Sequence, residues 1–321
     1  MKRLLLCIII GLVLGISIQQ SIDHYSDAEL VFFNQVAEKT DSWYREIRGQ
    51  KPVYVIIGGS EIATSVDPMA FMKQHGLAVI NAGNHAGFGM PGNFVAAEHY
   101  ISQGCHVICS LVPSPEVTTQ GIKFAFRRRG CDLFSSGIIP LTCENLLKLA
   151  VGDLSSNINY IKRLRKKRTY VHAYANPKIA CLHDTGFLEI HSRRMQEKAY
   201  PPKRKADYDF NSITALCKKM QLLCEERNAK FSVMLAHQYF AAEDRLKKAE
   251  IALHLTQNNI RVLKDERLGV SQDLSDFADT PSHLSRKGVD SSTIIWSDAL
   301  KNDAFWSEQE LQKIIAAMNA E

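Results

Sequence analysis

No internal repeat and no low-complexity tract runs through the 321 residues. This excludes solenoid and collagen-like architectures and leaves an ordinary globular composition. No cysteines fall at zinc-site spacing, and His183, Asp184 and His191 find no third and fourth ligand at a recognisable distance. No metal and no cofactor is therefore expected. The eight cysteines include Cys7 in an N-terminal apolar run, and the seven beyond it cannot all pair. Cys217 and Cys224 are seven apart on an expected helix, about 10 Å of rise and too far to bridge. Cys131 and Cys143 can close a loop in an oxidising compartment; scattered buried thiols are the other reading.

A full-length apolar span is also missing. Leu4 to Ile18 carries no charge and follows Lys2-Arg3, but at about 1.5 Å per residue it covers only about 22 Å of a ~30 Å hydrocarbon core. That length suits a signal segment, whereas the sequence after it offers no small-residue cleavage site. Residues 1–20 are read as a signal anchor or signal peptide, with the body of the protein outside the cytoplasm. Residues 21–50 follow as an amphipathic helical stalk, with Leu30, Phe33, Val36 and Trp43 on one face and Gly49 and Pro52 ending the pattern.

Beyond the stalk, strands and helices alternate. Val53 to Ile57, Ala78 to Asn81, His106 to Val112 and Phe231 to Ala236 read as buried strands. Asn211 to Arg227 reads as a helix through Ile213, Leu216, Met220 and Leu223. Such alternation implies a mostly parallel sheet covered on both faces, with sites at the carboxyl ends of its strands. From about 118 to 205 a basic insertion carries 18 Lys and Arg against 6 Asp and Glu. Its charge gathers in Lys162 to Arg168, Arg127 to Arg129 and Lys203 to Lys205. On a membrane-held protein these clusters point to anionic lipid or an anionic polymer; export argues against nucleic acid.

Two stretches carry chemistry. VYVIIGGSEIATSVDP, residues 53 to 68, runs a strand into two glycines and Ser60, a place where a hydroxyl is presented at a sheet edge and at a helix start. DFADTPSHLSRKGVD, residues 276 to 290, sets Asp279 four residues before His283 in a turn-rich loop. A serine nucleophile needs a base, and the base an orienting carboxylate. His85 and His237 read as a local hydrogen-bonding residue and an exposed strand-end residue.

Taken with NAGNHAGFG, Asn81 to Gly89, these stretches resemble the SGNH hydrolase superfamily, in particular the membrane-anchored SGNH-like proteins of cell-envelope polymer modification, of the D-alanyl transfer and alginate acetylation type. The resemblance implies a flavodoxin-like three-layer α/β/α domain over residues 51–321, preceded by the N-terminal membrane-targeting helix. It implies Ser60 as nucleophile, His283 as general base and Asp279 as its orienting carboxylate, with Gly83, Gly87 and Ser114 as oxyanion donors. Two departures stand out. The family spaces acid and base by three residues, which here falls on Thr280, so Asp276 or a Ser-His dyad are alternatives. After the third strand, LVPSPE replaces the usual Asn, and Asn84 is a second choice of donor. The implied activity is a serine acyltransferase or esterase acting on acyl groups, O-acetyl foremost, of a surface polysaccharide or polymer, with a membrane-bound O-acyltransferase as a candidate partner. The alternative is a catalytically inactive scaffold that binds an envelope polymer or that partner.

Overall fold

The computed structural model describes residues 9–19, 27–111, 114–151, 172–192, 209–239 and 242–320. The Lys162 to Arg168 and Lys203 to Lys205 clusters lie outside them. So do residues 1–8 and 20–26 of the expected anchor and stalk. Residues 9–19 are helical, and among the described residues no helix is long and apolar enough to cross a membrane.

Four parallel strands form the centre of an α/β fold. They are β1 (Val53–Gly58), β2 (Ala78–Gly83), β3 (His106–Ser110) and β6 (Lys230–Met234), in the order β2-β1-β3-β6. Their register pairs Val55 with Ile80 on one side and with Val107 on the other. β1 to β3 are buried along their whole length and β6 except at Lys230, as expected for near-continuous apolar runs covered on both sides. β3 stops at Ser110 and β6 at Met234, each two residues short of expectation.

Helices cover both faces. Val55, Ile57, Ile80 and Val107 pack against Trp43, Phe94, Ile122, Ile213 and Leu255. Ile56, Val79 and Ile108 on the opposite face pack against Phe71, Trp296 and Leu300. Each fully buried Leu, Ile or Phe contributes about 1.5–3 kcal/mol by leaving water, so most of the stability resides in these two layers.

The expected stalk is α1 (Ala28–Ile47), and it lies against the body. Its Trp43 Nε1 donates to the Val79 carbonyl at 2.8 Å and its Thr40 hydroxyl to the Asn81 carbonyl at 3.0 Å. α1 therefore covers the outer edge of β2, satisfying carbonyls that no further strand pairs. Within the insertion, β4 (Ala180–Leu182) and β5 (Leu188–Ile190) form a short antiparallel hairpin. Cys131 and Cys143 are unpaired and exposed, so the loop closure considered above does not occur. Cys105, Cys109, Cys217 and Cys224 are buried thiols, and burial pushes Cys217 up to about 12.

Candidate active site

β1 ends at Gly58, and Ser60 is the first residue of α2 (Ser60–Ala63). A Cβ on Gly58 would stand 2.3 Å from the Ile62 side chain, and one on Gly59 2.9 Å from Cα of Ala86. Neither glycine has a positive φ. They are there for close approach, which lets the Asn84 to Ala86 loop lie on the serine turn. With only four residues, α2 offers little macrodipole. Its start supplies instead the Ser60 amide, which has no intrahelical acceptor.

The base arrives from far along the chain. Ala278 N–H donates to the His283 carbonyl at 2.9 Å, and Phe277 bridges Leu284 in antiparallel fashion. Residues 279 to 282 thus form a tight turn closed by a two-stranded stem. The additional residue between acid and base is taken up in this turn, where Thr280 accepts from the Ser282 amide. Asp279 and His283 consequently face one another. Below the turn, Ser285 caps α9 (Arg286–Lys301), and Gly288 runs so close to the Asp276 carbonyl that a Cβ would stand 2.1 Å away. Arg286 pairs with Asp67 at 2.7 Å, and Asp67 in turn caps α3 (Pro68–His75). This ion pair ties the serine segment to the histidine segment.

His283 Nε2 stands 3.0 Å from the Ser60 hydroxyl, and Nδ1 stands 2.8 Å from Asp279 Oδ1. A carboxylate only accepts, so Nδ1 carries the proton and Nε2 of the neutral ring is left to accept from Ser60. Burial alone would raise the Asp279 carboxyl, but hydrogen bonds from His283 and Tyr174 outweigh it and hold the group below its ordinary range. Asp276, the alternative acid, accepts from the Ser271 hydroxyl at 2.8 Å and lies near Arg267 and Lys287. It makes no hydrogen bond to His283.

Tyr174 went unnoticed in the sequence. Its hydroxyl donates to Asp279 Oδ2 at 2.9 Å and lies 2.9 Å from His283 Nδ1. Burial, with the Asp279 charge beside it, pushes the phenol well above its ordinary range, so it remains a donor. His172 caps the turn that carries Tyr174, and its ring stacks on Phe32 of α1 at 4.7 Å. The basic insertion and α1 therefore both reach the site. Glu61 is the second omission. It is buried, accepts from the Gly59 amide at 2.8 Å and the Ser110 hydroxyl at 3.3 Å, and burial raises its carboxyl. No residue pattern distinguished either side chain in advance.

Two of the expected oxyanion donors are engaged elsewhere. The Gly83 amide donates to Asn81 Oδ1 at 2.9 Å and the Gly87 amide to His85 Nδ1 at 3.2 Å, so both are committed. The Ser114 carbonyl accepts from the Met90 amide, a bond that leaves its hydroxyl, the expected donor, unengaged. Asn84 is buried beside Gly58, whose carbonyl its backbone amide meets at 3.0 Å, and one of its side-chain N–H groups goes to the Ala82 carbonyl. Among the described residues, the other Asn84 side-chain N–H, the Ser60 amide and the Ser114 hydroxyl have no acceptor.

Other singled-out residues find separate roles. His183 hydrogen-bonds Glu189, and Asp184 pairs with Lys39. His237, expected to be exposed, is buried between Ser292 and Asp265 because the strand end turns inward against α9. A cavity of about 480 Å³ lies next to the histidine turn, lined by His191, Ala278, Arg286 and Lys287 among others. A wider one of about 710 Å³, beside Arg245 and Arg267, does not include Ser60. No protein-family model, curated protein or solved structure matches the chain.

Proposed function

We propose that the protein is a serine acyltransferase or esterase of SGNH type, held at a membrane and facing the cell envelope, that acts on acyl groups, O-acetyl foremost, of a surface polysaccharide or related polymer. The observation that carries this reading is the hydrogen-bonded chain Ser60, His283, Asp279 at the carboxyl edge of a parallel sheet. The strand order and the helices on both faces support a flavodoxin-like three-layer domain. The apolar run Leu4 to Ile18 supports the membrane attachment.

In the reaction, Ser60 Oγ attacks the ester carbonyl while His283 Nε2 takes its proton. The Ser60 amide and Asn84 hold the oxyanion. Collapse breaks the ester C–O bond, and the leaving alkoxide takes the proton from His283. An acceptor hydroxyl, from a sugar or from water, then gives its proton to His283 and attacks the acyl-serine; the acyl–Oγ bond breaks and His283 returns that proton to Ser60 Oγ. Asp279 stabilises the imidazolium at each stage. A membrane-bound O-acyltransferase fits as the donor-side partner. Fold alone does not choose between transfer and hydrolysis.

The test is turnover of p-nitrophenyl acetate by wild type and Ser60→Ala. A rate lost in the variant is expected. Equal rates would remove Ser60 from the chemistry and favour a polymer-binding scaffold.

A further inference from the structure

We propose that His85, His172 and Glu29 form a sugar-binding subsite beside Ser60, where the hydroxyl that takes the acyl group is held. The inference rests on the acyl-transfer reading above and deepens it, naming the acceptor as a polyhydroxyl unit and the side chains that hold it.

The two histidines reach the serine from distant parts of the chain. His85 directly precedes Ala86, whose Cα lies against Gly59. His172 packs on Tyr174 with ring centres 5.0 Å apart, and the Tyr174 hydroxyl is 2.9 Å from His283 Nδ1. Both imidazoles also lie against Phe33, at 5.4 and 5.8 Å, so one small ligand can reach both. Rings therefore follow one another from His283 through Tyr174, His172 and Phe33 to His85.

Backbone contacts fix the tautomer of each histidine. His85 Nδ1 accepts from the Gly87 amide and His172 Nδ1 from the Tyr174 amide, both at 3.2 Å. Burial pushes both imidazoles below their ordinary range despite the Glu29 charge, so each ring is neutral and carries its one proton on Nε2. Neither Nε2 has a hydrogen-bond partner among the described residues, and neither is closed off from solvent. Buried phenylalanines hold the rings from behind. His172 stacks on Phe32 at an angle of 11°, and His85 packs on Phe33 and Phe88.

Glu29, in the first turn of α1, supplies the acceptor. Its side chain is 38% exposed and stands 3.7 Å from His85 Nδ1, beyond hydrogen-bond reach, and its charge acts on both rings. Two N–H donors and one carboxylate along a wall of rings suit a sugar. A hydroxyl both donates and accepts, so neighbouring hydroxyls satisfy both kinds of group at once. An alkyl chain in the same place would strip water from all three and return nothing. Water as acceptor needs no such array, so its presence favours transfer over hydrolysis.

The test uses the full chain and two readouts. Acetyl transfer from p-nitrophenyl acetate to maltotriose, mannotriose or chitotriose is measured against release of free acetate. Saturation-transfer NMR of the same trisaccharides on Ser60→Ala reports binding without chemistry. The expected result is saturable transfer to at least one of them. The transfer-to-acetate ratio should fall about 5- to 10-fold in His172→Phe, which keeps the stack on Phe32, and in Glu29→Ala, as for the loss of one hydrogen bond. The NMR signal should weaken when either change is added to Ser60→Ala. Glu29→Ala, at an exposed position, keeps the test open should His172→Phe not fold. Ser60-dependent turnover with no saturable transfer, or with a ratio that neither substitution alters, would overturn the subsite and leave the serine chemistry standing. Binding that weakens in both variants without Ser60-dependent turnover would keep the subsite, on a polymer-binding scaffold, and overturn the transfer reading. Absence of both binding and turnover would overturn both.

Discussion

Among the described residues, two serine–histidine–aspartate chains bear comparison. Ser60, His283 and Asp279 are linked at 3.0 and 2.8 Å, and Ser292, His237 and Asp265 at 2.5 and 2.6 Å. By distance alone the second is the tighter. Yet Ser292 lies inside the long helix α9, is 1% exposed, and has no route to an ester. The order of ring nitrogens is also reversed, with Nε2 of His237 towards the carboxylate and Nδ1 towards the serine. Burial would raise Asp265, but the His237 contact and two backbone amides hold it below the ordinary range. Ser60 differs in being half-buried at a strand end with an uncommitted amide of its own. Access and an oxyanion donor separate a reaction site from a buried polar network; hydrogen-bond length does not.

Exchanging losses between the two chains sharpens this contrast. Ser60→Ala should lower esterase turnover by about 10³-fold or more while leaving the urea midpoint unchanged. Ser292→Ala should do the reverse, keeping turnover and losing about 1–3 kcal/mol of stability as His237 Nδ1 is left without its partner. Loss of turnover in Ser292→Ala, with the fold intact, would break the distinction. Asp279→Asn comes next, with an expected loss of about 10²- to 10⁴-fold in kcat, because an amide no longer selects the tautomer that presents Nε2 to Ser60.

Smaller effects belong to supporting side chains. Tyr174→Phe removes one hydrogen bond to Asp279 and should lower kcat about 5- to 10-fold with KM nearly unchanged, the size of a bond of about 1–1.4 kcal/mol. An unchanged kcat would make Tyr174 a packing residue only. His106 extends the comparison to a histidine that hydrogen-bonds a serine, Ser232, but no carboxylate. Burial, aided by the Arg261 guanidinium, pushes its imidazole down to about 4. The folded chain keeps this ring neutral where the unfolded chain protonates it. Its contribution to stability is therefore complete above about pH 6.5 and falls by up to about 3 kcal/mol as pH drops toward 4. Urea unfolding near pH 7.5 and near pH 4.5 should show a smaller pH difference in His106→Asn than in wild type, and an equal difference would remove His106 as a source.

What was legible in the sequence follows from the same physics. The four parallel strands could be read because strands buried on both faces are almost wholly apolar, as in VYVII and HVICS. Ser60 and His283 could be read because each sits in a short motif at an element boundary. Tyr174 could not, since it is 105 residues from Asp279 and the pairing is made by folding alone. Two of the donors were misassigned for a related reason. A glycine-rich loop suggests free amides, but whether Gly83 is free depends on where the Asn81 side chain turns. His237 was misread because a strand end is usually exposed, and nothing local shows that α9 closes over it.

On the proposed mechanism Ser60, and not Ser292, is the nucleophile. Incubating the full chain with a serine-directed fluorophosphonate and locating the adduct by peptide mass spectrometry tests it directly. The expected result is a single adduct on Ser60, absent from Ser60→Ala and retained in Ser292→Ala. No adduct on Ser60, or an adduct on Ser292, would contradict it.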